Sequence, residues 1–261
     1  MTELATIQPA RSFKILLLGD SCTDEYYIGT CDRLNPEAPV PIMNIRDHYT
    51  TPGMASNVYK NLTTLGCKVD FITNAETITK TRYIDKKSGQ HLLRVDNDCE
   101  LTPWSGRTTL PLETYDAIVM SDYNKGFLTY SEMQHVCRSF DGPIFIDTKK
   151  TDLRRFNPAF IKINELEYSK RTSEASNMII TLGGRGAMYK KDFLTAVYDG
   201  YPAEIVDVCG CGDTFLSALT YQYLMTKDID SAIIFANAAA SITVQHRGNY
   251  APTLDEINAR H

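Results

Sequence analysis

Five short apolar runs, each ending in a small or acidic residue, constrain this chain more than any other feature. They are Phe13–Asp20, Lys68–Thr73, Ala117–Asp122, Pro143–Asp147 and Met178–Gly183. Continuous apolar runs of that length are the mark of strands covered on both faces, as in a parallel sheet. Helical patterns lie between and after them. Ala55, Val58, Leu62 and Leu65 follow 3-4-3 spacing and form one apolar face. Phe215, Ala218 and Leu219 begin another helix, and Ala232, Ala236, Ala239 and Thr243 line a further face of small residues. Strands alternating with helices predict a doubly wound α/β domain with a mostly parallel sheet.

Two stretches break that rhythm. Arg82–Asp96 alternates polar and apolar residues around Ser88-Gly89, as a β-hairpin does. Glu25–His48 contains NPEAPVP, whose three prolines resist helix, followed by the strand-like Pro41–Arg46. Together they predict a small β-sheet projecting from one domain that spans 1–261, with the projection formed by segments near 25–48 and 81–98. Tyr26, Tyr27, Ile42 and Leu92 would be costly to leave in water on such a sheet, which points either to a homodimer through it or to its covering a site.

Composition closes off several classes of function. Lys+Arg 27 against Asp+Glu 32 leaves a net charge of −5, the opposite of a nucleic-acid footprint. Met1–Phe13 has no apolar core of the kind a secretory signal carries. Ile15–Leu18 and Ala232–Ile242, the most apolar stretches, are too short to span a bilayer. Seven cysteines form no paired CxxC pattern, and an odd number without an export signal fits reduced thiols in a cytoplasm. Cys209-Gly210-Cys211 reads as small residues in a tight turn.

The chemistry concentrates in Glu204–Leu219, EIVDVCGCGDTFLSAL. A strand-like EIVDV leads into Gly210-Cys211-Gly212-Asp213, and a helical pattern starts at once. Glycines at the mouth of a helix let backbone N–H groups approach an anion where the helix dipole is positive. Asp213 then has two readings: a cap of the helix, or a general base beside a bound phosphoryl group. Asp20 and Asp24, just after the first apolar run, are placed either to accept ligand hydroxyls at the carboxyl end of a strand or to make a solvated turn.

Asp207–Asp213 resembles the DTxGAGD signature of the ribokinase-like (PfkB) sugar kinases, with Cys211 where that family has alanine. Thr51–Asn61 resembles its PGGAANVA-type element, Asn164–Glu167 its NxxE element, Thr181–Ala187 its nucleotide-side glycine loop and Phe235–Ala240 its adenine-flanking helix. Gly19–Gly29, Arg33–Pro41, Ser121–Gly126 and Ile146–Phe156 resemble one branch, the D-glycero-β-D-manno-heptose-7-phosphate kinases that form the kinase halves of ADP-heptose synthases. The resemblance implies a ribokinase-like fold with a β-sheet lid, and ATP-dependent phosphorylation of an anomeric hydroxyl. It implies Asp213 as base, with the N–H groups of Gly210, Cys211 and Gly212 as anion hole. It further implies sugar contacts from Asp20, Asp24, Gly53 and Asn57, with Arg33, Lys125 and Lys149 for the sugar's phosphate. Asn164, Thr181, Gly183, Gly186 and Asn237 fall on the nucleotide side, and Mg2+ would be held by Glu167 and Asn164, largely through water. The implied partners are a small sugar phosphate, ATP and, in a homodimer, a second lid.

Two departures stand out. Gly53-Met54 replaces the family's paired glycines, so the lid joint carries a bulky residue. Gly66 to Lys80 is too short for the strand–helix unit the family places there. Three functions therefore remain: a heptose-7-phosphate 1-kinase, a ribokinase-like kinase for another sugar, and a degenerate kinase that binds without turnover. The 261-residue length and the absence of an HxGH motif predict a stand-alone kinase without a nucleotidyltransferase.

Overall fold

The computed structural model describes residues 12–106 and 110–260; the reading of Met1–Phe13 as free of an export signal falls almost wholly outside them. The strands are β1 (Lys14–Gly19), β2 (Ser21–Leu34), β3 (Pro41–Met54), β4 (Lys68–Thr73), β5 (Thr79–Asp85), β6 (His91–Asn97), β7 (Ala117–Asp122), β8 (Ile144–Thr148), β9 (Phe160–Asn164), β10 (Asn177–Thr181), β11 (Ala187–Lys191) and β12 (Leu194–Tyr198). The helices are α1 (Ala55–Thr64), α2 (Tyr130–Ser139), α3 (Glu165–Lys170), α4 (Cys211–Thr226), α5 (Ile229–Thr243) and α6 (Leu254–Arg260).

Eight strands form the main sheet in the order β12-β11-β10-β9-β8-β7-β1-β4, parallel from β10 to β4, with β11 and β12 antiparallel at one edge. Strand β1 shows why an unbroken apolar run was required. Ile15 and Leu17 pack with α1, α4 and α5, while Leu16 and Leu18 pack on the opposite face with Met133 and Val136 of α2. Successive side chains point to opposite faces, so both sets must be apolar.

The second sheet, β3-β2-β5-β6, is built from the two stretches that broke the rhythm. β2 and β3 are 14 residues each and pair antiparallel from Ser21↔Met54 out to Leu34↔Pro41. Its inner face is carried by alternate residues: Cys22, Asp24 and Tyr26 on β2, Lys80, Arg82 and Ile84 on β5. Tyr26 is buried and stacks on Tyr49 at 4.8 Å, so it is not part of an exposed outer surface; Leu92, Leu93 and Val95 are.

One expectation needs correction, and three strands were not foreseen. EIVDV is not a strand: Ile205, Val206 and Val208 are half or more exposed, and the Val206 and Asp207 N–H groups donate to Val244 O beside α5 rather than to a sheet neighbour. β9 escaped the reading because Lys162 interrupts its apolar run, and the edge hairpin of β11 and β12 is too exposed to show one. As expected of so short a stretch, the segment from Gly66 to Lys80 holds β4 and the start of β5, with no helix between them. Among the described residues no helix is long and apolar enough to cross a membrane.

Candidate active site

The first turn of α4 is the centre of the site. Gly210 caps the helix with φ +75°, and a Cβ there would stand 2.7 Å from Asn57 Nδ2 and 2.9 Å from Asn249 Oδ1, so only glycine fits. Asp213 is the third residue of α4 and does not cap it. Its carboxylate is buried and held at both ends: Asn57 Nδ2 donates to Oδ2 at 2.9 Å and the Tyr123 hydroxyl donates to Oδ1 at 2.8 Å. Burial pushes its pKa up to about 6, although both hydrogen bonds pull the other way. A carboxylate tuned to that range is ionised at neutral pH yet basic enough to take a proton.

Two hollows meet at Gly212, which lines both. One is a polar pocket of about 140 Å³, bounded by Tyr123, Asp147, Lys149, Lys162, Glu167 and Asp213 among others. The other is an apolar cleft of about 380 Å³ in which Thr181, Gly183, Gly186 and Asn237 lie with Cys211, Val208 and Ala240. The expected nucleotide-side residues thus share one cleft, except Asn164, which lines the polar pocket. Asn237 donates to the carbonyls of Tyr198 and Asp199, both at 3.2 Å, and so fastens α5 to the end of β12. The N–H groups of Gly210 and Gly212 have no acceptor among the described residues, whereas that of Cys211 makes a long contact, 3.4 Å, with Val208 O.

Lys162 was not foreseen. It is 4% exposed, and its ammonium pairs with Asp147 at 2.6 Å directly over Gly212, where an added Cβ would lie 2.8 Å from Nζ. Burial works against that charge, but Asp147 outweighs it and holds the ammonium protonated. A lysine set between two isoleucines in a buried strand was the available signal. Asn164 and Glu167 form a reciprocal capping box on α3, and Lys149 donates to Glu167 Oε1 at 2.8 Å. Burial opposes ionisation of Glu167, but Lys149 and the Asn164 N–H prevail and hold its pKa below the ordinary value.

The acceptor side is a network of charges. Tyr123 and Lys125 N–H groups donate to Asp20 Oδ2 at 2.7 and 3.2 Å, fixing the loop that aims Tyr123 at Asp213. Asp20 Oδ1 is buried without a partner, and burial, then the neighbouring Asp122, raise its pKa. Asp122 is itself buried against Lys150 at 3.0 Å. Asp24 pairs with Arg82 at 2.5 Å and accepts from Asn249 Nδ2 at 3.1 Å; Gly53 makes room, since a Cβ there would meet Asp24 Oδ2 at 2.2 Å. Asn57, expected to face a sugar, is wholly buried and serves Asp213.

The three cations expected to share a phosphate do not converge. Lys125 pairs with Asp98, Lys149 with Glu167, and Arg33 is exposed near the tip of the β2–β3 arm, about 30 Å of strand away from Asp24. Among the described residues no group of three or more His, Cys, Asp or Glu side chains converges as a metal cage. Glu167 and Asn164 fit a water-rich Mg2+ whose remaining ligands are phosphate oxygens, the manner in which that ion is commonly held.

The fold is ribokinase-like. The ribokinase of Thermotoga maritima superposes with a TM-score of 0.73 at 16% identity, covering 95% of this chain and 98% of that one. The phosphofructokinase-2 of Escherichia coli superposes at 0.73 with 14% identity and the same coverage. Residues 162–256, a span that includes the α4 loop, match the pfkB family carbohydrate kinases. In sequence it is similar to the bifunctional protein HldE of a Nitratiruptor species, 30% identical over 300 positions, covering 94% of this chain and 64% of that protein. It is also similar to the HldE of Aliivibrio salmonicida, 27% identical, covering 90% and 60%. The chain spans about three-fifths of the length of these relatives.

Proposed function

We propose that the chain transfers the γ-phosphoryl group of ATP to the anomeric hydroxyl of D-glycero-β-D-manno-heptose 7-phosphate, giving the 1,7-bisphosphate and ADP. The observation that carries the reading is Asp213: a buried carboxylate with a pKa of about 6, clamped by Asn57 and Tyr123, at the point where an apolar cleft meets a polar pocket. Adenine and ribose would occupy the cleft beside Gly183, Gly186 and Ala240, and the phosphates would reach the N–H groups of Gly210 and Gly212. The sugar hydroxyl gives its proton to Asp213 as its oxygen bonds to the γ-phosphorus and the bond to the β-phosphate oxygen breaks. Such a transfer asks mainly for positioning and charge neutralisation, which Lys162 and Lys149 supply from the polar pocket. Mg2+, when bound through Glu167 and Asn164, would neutralise phosphate charge further.

The substrate is supported by the branch motifs and by the HldE relatives. The second sheet is read as the lid of a single domain over 1–261, in a cytoplasmic enzyme. Its exposed Leu34, Ile45, Leu93 and Val95 favour pairing with a second lid, which light scattering would test as a doubled mass. The test of function is turnover with the heptose 7-phosphate and ATP-Mg, with phosphorus NMR locating the new phosphate on C1. No turnover on this sugar would remove the substrate. A second reading, another sugar as acceptor, is favoured by Met54 and the short segment from Gly66 to Lys80, both on the acceptor half. Turnover on a different sugar or sugar phosphate would select it, and ATP binding with no turnover on any would leave a binding module.

A further inference from the structure

One inward-facing cation around the site has no direct partner among the described residues, although Asp96 feels its charge. Arg82 has Asp24, Lys150 has Asp122, Lys162 has Asp147, Lys149 has Glu167 and Lys125 has Asp98. Lys80 sits on β5 two residues from Arg82, is only 8% exposed, and has no hydrogen-bond acceptor or ion-pair partner among the described residues. Asp96 lies opposite it on β6, but Arg94 takes both of its oxygens, Nε at 2.6 Å and Nη2 at 2.8 Å. What the Lys80 ammonium does face is the ring of Tyr123, 5.2 Å from its centroid, and that tyrosine's hydroxyl holds Asp213. Charges removed from water are ordinarily paired. A buried ammonium without a direct partner is suited to receive an anion that a ligand brings.

We propose that Lys80 is the seat of an anionic group on the acceptor, a phosphate carried by the sugar, and that it makes this site select sugar phosphates over neutral sugars. The inference rests on the reading of the chain as a sugar kinase and names the residue through which the substrate class is read. It replaces the expected trio of Arg33, Lys125 and Lys149. The ammonium lies over the ring of the tyrosine whose hydroxyl holds the base, so an anion seated there would be close to the reacting hydroxyl. Phosphate on the nucleotide would be a second source of the same chemistry, but that side already has the N–H groups of Gly210 and Gly212.

Calorimetric titration of the intact chain with paired ligands tests this: the heptose and its 7-phosphate, ribose and its 5-phosphate, fructose and its 6-phosphate, and ATP-Mg. In the unmodified chain at least one phosphorylated sugar binds about 10–100-fold tighter than its free counterpart, the worth of one charge-assisted contact. In Lys80→Met that preference falls to about threefold or less, while the free sugar and ATP bind as before; Lys80→Arg keeps most of it. Met fills the same space without an unpaired charge, so the melting temperature of that variant should equal or exceed that of the unmodified chain. A preference retained by Lys80→Met, a loss of ATP affinity in its place, or no preference in any pair overturns the proposal. A preference seen only outside the heptose pair supports Lys80 and removes the heptose, and ATP-dependent turnover of free sugar shows separately that the kinase reading stands.

Discussion

The nucleotide half and the acceptor half of this site are made of different materials. The cleft on the nucleotide side is shaped by glycine, alanine and main chain, and its polar side chains are spent holding the scaffold, as Asn237 does. The acceptor side is a mesh of buried ion pairs tied to one loop, Ser121–Gly126. Backbone-shaped sites leave recognisable glycine patterns, and the family match, residues 162–256, contains the glycine loops of this half. A mesh of charges can be rewired pair by pair, and in the proposed reading selectivity for the acceptor would reside there.

The sharpest way to break this division is at the residue both halves share. Asp213→Asn should lower kcat by about 10²–10⁴ with ATP affinity retained, since a positioned base is worth that much; near-normal turnover would remove Asp213 from the chemistry. The same variant carries a stability signature. The folded pKa of about 6 lies above the ordinary 3.8, so this carboxyl's contribution to stability is full below about 3.8 and is lost as pH rises through 6. Asp213→Asn should therefore melt higher than the unmodified chain at pH 8, by roughly 1–3 kcal/mol in stability, and the gap should close toward pH 4. For the unmodified enzyme, kcat/KM should fall below pH 6 as the base is protonated.

Tyr123→Phe comes next and acts on the acceptor half alone. Losing one hydrogen bond to the carboxylate should cost about tenfold in kcat. Because that bond holds the Asp213 pKa down, the acid limb of the pH profile should also move upward, a shift that a packing defect would not produce. On the other half, Ala240→Leu narrows the apolar cleft and should raise KM for ATP about tenfold while kcat moves less than twofold, read from initial rates. The smallest effect is expected of Arg33→Ala: less than a twofold change in KM for the sugar phosphate, because Arg33 lies far along the arm. A large change would place a second copy's arm in the site.

What the sequence disclosed follows the same division. β1, β7, β8 and β10 were legible because both faces of each demand apolar residues, the edge strand β4 because Val69, Phe71 and Ile72 are half-buried, and the α4 loop because its geometry demands glycine. EIVDV misled because an apolar run can line a ligand cleft as well as a sheet. Lys162, Tyr123 and Lys80 were missed for one reason. A buried charge or hydroxyl is defined by the partner it meets across the fold, and Tyr123 and Asp213 are 90 positions apart. The bond from Asn57 to Asp213 was not legible, since nothing in its segment reveals which partner its amide meets 156 positions away.

Met54 joins β3 to α1 with φ +57° and ψ −133°, a conformation glycine adopts freely, yet its side chain is 4% exposed among Cys22, Ile78 and Leu101 in the core. The backbone at this joint asks for glycine, at a strain of about 1–3 kcal/mol, while the core asks for a large apolar side chain, whose removal costs about 2–5 kcal/mol. No single replacement meets both demands. Met54→Gly relaxes the chain and opens a void; Met54→Leu keeps the core and the strain. Drift at this position is thus locked unless the lining changes with it, and a designer seeking a freer lid would have to rebuild the surrounding wall before touching the joint.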